Sequence, residues 1–286
     1  MADNATVAGV RLRRRLDGCI AAQDARPALE HMALAEASAV LDDVLADTAA
    51  LGGSAARMIA DLSLLHRVRA MGLGDPVEEL HACVALQILA YVIDPAAVAP
   101  QTYEEIGRAI AAGADTDLPT ARLRALQGHA SAVRAAWRRE RDSGLADTFV
   151  RAFERLVEVA GQEVPNWPTR LLDLAVAFDQ RYRLHEPHGA LSDLEQGIRL
   201  ADEAISAAAG DRDLLIRAHK IRAPMLMTRD ELTPDSTDLV AAAVSFAALV
   251  DLTPHDHPEY RRHRANLEKM QHLLHTTQPP AGRPRQ

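Results

Sequence analysis

Four bulky residues, Tyr91, Trp137, Tyr182 and Met227, follow one another at intervals of 46, 45 and 45 residues. Each stands near the end of a segment with helical patterning, ahead of a short break. The segments after the breaks keep the same step. "SDLEQGIRLADEAI" from Ser192 aligns with "TDLVAAAVSFAALV" from Thr237 at a shift of 45 residues, and the same shift backward sets Phe149 against Leu194 and Phe153 against Ile198. A fixed period of this length means like units stacked side by side. One helical hairpin buries a single face, so neighbours must share a core that none encloses alone.

The punctuation supports hairpins. Breaks fall at "LGGS" (51–54), "GLGDP" (72–76), "GADTDLP" (113–119), "GQEVPNWP" (161–168), "AGDRD" (209–213) and "LTPHDHP" (252–258). Between them apolar residues recur every three or four positions, as one buried helical stripe requires. Thr148, Asp193 and Asp238 stand where the second helices begin, in position to act as N-caps. Pro224 falls inside a first helix and should kink it or end it early. In the N-terminal part, Leu12, Leu16 and Ile20 form one apolar stripe, with Arg11, Arg13, Arg14 and Arg15 mostly off it.

Composition narrows the fold further. Hydrophobic residues make up 48% of the chain but aromatics only 3%, so Leu, Ala and Val must fill the core. Ala and Leu are the best helix formers, and the β-branched and aromatic runs that strands prefer are scarce. An all-α protein follows. Lys220 and Lys269 are the only lysines among 32 basic residues, a bias that reads as the codon usage of a GC-rich bacterial genome. The net charge of −8 argues against a general nucleic-acid binder. Cys19 and Cys83 make neither a disulfide framework nor a metal spacing and read as small buried residues. The segment "MADNATVAGVRLRRRLDG" lacks an apolar core of signal-peptide length, and the longest apolar run, 82–93, is too short to span a bilayer. The expectation is a cytoplasmic protein with no membrane partner.

The stretch "TRLLDLAVAFDQRYRLHEPHGALSDLEQGIRLADEAI" resembles the long-period tetratricopeptide-like repeat of bacterial multi-repeat proteins. Asp173, Leu174, Ala175, Ala177, Phe178, Arg181 and Tyr182 match its first helix. Asp193, Leu194, Gly197 and Ile198 match its second, and "LTPHDHPEYR" matches its closing turn. The likeness is closest over residues 165–270. It implies a right-handed solenoid of stacked antiparallel helical hairpins over residues 71–275, with 1–70 as a divergent helical cap and 276–286 as a disordered tail.

Motifs that carry chemistry are weak. Asp42, Asp43 and Asp47 share a helix, but no second metal motif or aromatic-lined cavity accompanies them, so a solvated acidic face is the better reading. His255, His257 and His263 lack further ligands of fixed geometry. His185, Glu186 and His188 make a polar loop. "MGLGDP" has no strand before it and is no phosphate loop. No catalytic residue, metal or cofactor is assigned.

In the implied solenoid the first helices line a concave groove. Its lining would be Arg124, Gln127, Ser131 and Arg134, then Thr169, Val176, Asp179 and Gln180, then Arg217 and Ile221. Arginine donors in a mixed lining suit a peptide or helix bearing acidic groups. The leading expectation is therefore a non-enzymatic protein-binding or scaffold module. An alternative is a helical enzyme or small-molecule binder with a pocket between the N-terminal helices and the repeats, using Asp43, His66 or His81. A third is a homodimer formed through the C-terminal hairpin.

Overall fold

A computed structural model describes residues 2–46, 52–73, 77–112, 117–162, 166–185, 190–234 and 236–277. Among these residues the regular structure is helical and includes no strand, as the composition predicts. None of the described helices is long and apolar enough to cross a membrane. Contacts group the chain into two units, 1–160 and 161–286. Residue 70, where the sequence suggests that a cap ends, lies inside a helix of the first unit.

The first unit holds α1 (Ala2–Ala22), α2 (Arg26–Leu29), α3 (His31–Ala46), α4 (Gly53–Gly72), α5 (Val77–Ile93), α6 (Tyr103–Ala111), α7 (Leu118–Glu140) and α8 (Ser143–Ala160). α4 packs on α5, α5 on α7 and α7 on α8, while α3 returns against α8 and α1 covers α3. The α1 stripe runs through Leu12, Leu16 and Cys19, not through Ile20, which is 55% exposed. Arg15 turns inward and bonds Glu36 and Glu30. The Asp117 carboxylate starts α7 by accepting the Thr120 N–H at 2.9 Å. Trp137 stacks on Phe149 of α8 with ring centroids 5.7 Å apart, so this bulky residue wedges its own hairpin.

Gly128 lets α5 and α7 approach backbone to backbone. A Cβ there would stand 2.9 Å from the Ala82 Cα, with no flexible side chain able to move aside. Gly128→Ala is expected to destabilise this unit by about 1–3 kcal/mol, measured by urea unfolding. An unchanged midpoint would show that the helices separate at little cost.

The second unit holds α9 (Trp167–Leu184), α10 (Leu191–Ala207), α11 (Arg212–Leu232), α12 (Ser236–Leu252) and α13 (Tyr260–Thr277). Within this unit α9 packs on α10, α10 on α11, α11 on α12 and α12 on α13, and α9 also touches α11. α13 continues through Thr277; the rest of the predicted disordered tail, 278–286, lies outside the described residues.

Asp193 and Asp238 are not N-caps. Both are buried in the first turn of their helices and take paired hydrogen bonds from an arginine of the preceding helix. Arg181 reaches Asp193 at 2.8 and 2.7 Å, and Arg229 reaches Asp238 at 2.7 and 2.6 Å. A buried carboxylate needs a full counter-charge, and a planar guanidinium supplies it through two parallel bonds. These locks fasten α9 to α10 and α11 to α12. Thr148 sits inside α8 and donates to the Gly144 carbonyl, while Asp142 caps that helix by accepting the Gly144 N–H at 2.8 Å. Pro224 does not end α11, which continues to Leu232. Packing against α10 and α12 holds the helix across the missing hydrogen bond.

Candidate functional site

The turn "LTPHDHPEY" that joins α12 to α13 is closed by its own backbone. Thr253 N–H donates to the Leu249 carbonyl at 3.1 Å, His257 N–H to Pro254 at 3.0 Å and Tyr260 N–H to His257 at 3.0 Å. The His257 ring accepts the Glu259 N–H at 3.2 Å, and the His255 ring packs on Tyr260 at 4.4 Å. These two histidines are thus spent on turn geometry. Among the described residues no three His, Cys, Asp or Glu side chains group as a metal site.

The turn leaves a cleft of about 390 Å³ lined by α11, α12 and α13. Its apolar lining comes from Pro224, Met227, Phe246, Leu249 and Met270, and its basic groups from Lys220, Arg262 and Lys269. Pro224 carries no N–H, so the Lys220 carbonyl has no helical donor four residues on. Among the described residues three basic side chains line this cleft, and they include both lysines of the chain. Codon bias acts alike at every basic position and does not account for that placement. A lysine keeps a compact point charge on a slender stem, where an arginine would bring a broad planar head into the opening.

His263 also lines the cleft and is 2% exposed. Burial first, then the charge of Lys220, pulls its pKa below the usual histidine range. The ring is therefore neutral near pH 7, and its buried Nε2 has no hydrogen-bond partner among the described residues. Glu259 stands at one end of the basic rim. It takes a hydrogen bond from Lys220 and another from Arg262 at 2.6 Å. The Lys220 bond is the main reason its carboxyl lies below the usual carboxylate range. Lys269, further along α13, is exposed and makes no ion pair among the described residues.

The residues predicted for a groove divide between the two units. In the first, Arg124 and Gln127 are exposed and Ser131 and Arg134 half-buried along one stripe of α7. The Arg134 guanidinium lies 5.7 Å from the Phe153 ring centre. In the second, Thr169, Val176 and Gln180 are half-buried on α9. Asp179 is held by Arg183 at 2.9 Å and by Gln180 at 3.0 Å. Arg217 is committed to Asp173, an ion pair that ties α11 to α9, with Ile221 half-buried one turn on. The cleft residues Lys220, Arg262, His263 and Lys269 were not anticipated as a group. The signal that could have found them is the rarity of lysine.

A second constellation is buried in the first unit. His66 Nδ1 lies 2.6 Å from one Glu79 oxygen, and Arg69 Nε donates to the other at 2.8 Å. His66 Nε2 meets His129 Nδ1 at 3.1 Å, and His129 Nε2 meets the Ser38 hydroxyl at 2.8 Å. Arg69 also donates to the Ala28 carbonyl at 2.7 Å. Burial pushes the Glu79 carboxyl up, but the hydrogen bond and charge of His66, together with Arg69, outweigh it and hold the group at about 2. Burial, then the neighbouring His66, brings His129 down to about 3. All five side chains are 0–2% exposed, so the relay offers no atom to a substrate. Of the residues named for a pocket, His66 alone joins it; Asp43 and His81 are exposed. Asp42 is half-buried on α3, whereas Asp47, Gly74, Glu186 and His188 lie outside the described residues.

No family model, curated protein or solved structure matches this chain. Its function is therefore read from the geometry alone.

Proposed function

We propose that this chain is a non-enzymatic binding module of tetratricopeptide-like stacked hairpins. Its α11–α13 cleft takes a segment of a partner protein that carries apolar side chains beside acidic ones. The observation that carries this reading is the cleft itself: an apolar floor under a basic rim that includes both lysines. Apolar burial supplies the affinity, and the rim selects acidic sequences and steers their approach. The sequential packing of α9 to α13 supports a solenoid of hairpins. The sealing of the acid–base relay in the core supports binding over catalysis.

The test is fluorescence anisotropy with a labelled ten-residue peptide of Ala and Leu carrying two Glu. Lys269→Glu and Arg262→Glu are each expected to weaken binding roughly ten-fold, with thermal melting unchanged because both side chains are exposed. Arg124→Glu, on α7, is the contrasting arm and should leave binding as it was. Loss on Arg124→Glu with Lys269→Glu unaffected would move the site to the α7 stripe.

A further inference from the structure

We infer that Glu259 is a built-in competitor for the ligand's carboxylate, and that it lowers the affinity of the Lys220–Arg262 end of the cleft for acidic partners. The inference rests on the binding reading above.

Three cations line the cleft, but they are not equally available. Lys220 and Arg262 approach from different helices and both donate to the Glu259 carboxylate. Glu259 is held there by the turn before α13, through its own N–H bond to His257. It therefore occupies the position a ligand carboxylate would seek at that end of the rim. Lys269, toward the other end, has no such partner among the described residues. A ligand with a single acidic group gains most at Lys269 and must displace Glu259 to gain more. A ligand with a second acidic group can exchange its own carboxylate for Glu259 at Lys220 and Arg262 while the first stays at Lys269.

The exchange is feasible because the partners are partly solvated. Side-chain exposure is 32% for both Lys220 and Glu259 and 64% for Arg262. Ion pairs this exposed are weak, so the competitor lowers affinity by a modest factor and does not close the site. A buried pair such as Arg69 with Glu79 could not serve in this way.

Two labelled ten-residue peptides of Ala and Leu, one with a single Glu and one with two, test this by fluorescence anisotropy on the full chain and on Glu259→Gln. The wild type should prefer the diacidic peptide. Glu259→Gln should bind the diacidic peptide roughly five-fold more tightly than wild type, with a smaller change for the monoacidic peptide, widening that preference. Melting curves that superimpose would confirm that the variant folds. Binding by Glu259→Gln alone would also support the inference, as a stronger block. If the wild type binds and Glu259→Gln leaves both affinities unchanged, the competitor role is overturned while the cleft reading stands. If neither protein binds either peptide, both fall.

Discussion

Glu79→Gln is expected to destabilise the 1–160 unit by about 3–5 kcal/mol, enough to unfold a marginally stable unit. The carboxylate is 1% exposed and pairs with the fully buried Arg69. Glutamine would keep an acceptor near Arg69 but remove the only carboxylate within hydrogen-bond reach of that guanidinium among the described residues. The cation would then depend on neutral acceptors such as the Ala28 carbonyl, with its Nη2 already lacking a partner. A carbonyl does not replace a counter-charge in a medium of low dielectric, so removing one partner of a buried pair costs more than the pair contributes. The glutamine amide would also set a donor beside either His66 or Arg69, each now a neighbour of the carboxylate. The chain supplies a local reporter. Its two tryptophans, Trp137 and Trp167, fall one in each unit, so Trp167→Phe leaves Trp137 to follow the first unit alone. Urea unfolding by that fluorescence should show a midpoint well below the parent. A shift corresponding to less than about 1 kcal/mol would mean that Arg69 finds water or another acceptor, and that the relay is not what fastens α4 to α5.

The elements of this fold were legible where chemistry is local. Gly, Pro and Asp clusters mark the helix ends, and the three- and four-residue apolar rhythm marks the buried faces. Trp137 and Tyr182, in step by sequence, are both buried near the ends of first helices. Pairings across space were not legible. An aspartate at a helix start looks like a cap, and only the packed structure brings Arg181 to Asp193 across 12 residues and Arg229 to Asp238 across 9. The relay joins His66 to His129 across 63 residues and Ser38 to His129 across 91, with no motif to announce it. The cleft was hidden for a different reason. "LTPHDHP" reads as the end of a unit, but it also leads into α13, which lines the cleft with Arg262, His263 and Lys269. Lining residues counted only on the earlier first helices stop at Ile221, one residue beyond Lys220.

Acid should undo the 1–160 unit in a curve whose shape depends on Asp42. His129 is held at about 3 in the folded state, against an ordinary value near 6.5. Between those values the unfolded chain binds a proton that the folded chain refuses, so stability falls as pH drops through that window. Glu79, at about 2 against an ordinary 4.5, adds loss of the same sign between pH 4.5 and 2. Asp42 works the other way. Burial raises its carboxyl to about 6, against the opposing charges of Arg155 and Arg151, so between pH 6 and 3.8 the folded state binds a proton before the unfolded state does. Over most of that range Asp42 offsets His129. Stability should therefore change little between pH 6 and 4.5 and then fall steeply, by several kcal/mol by pH 3, where the buried histidine and Glu79 act together. Asp42→Asn removes the compensation, so its stability should decline from pH 6.5 downward without the plateau. Urea midpoints followed by Trp137 fluorescence from pH 7.5 to 3 would trace both curves. Identical curves for the parent and Asp42→Asn would sink the assignment of the plateau to Asp42. A flat profile down to pH 3 in both would mean that the core admits a proton at His129 without cost.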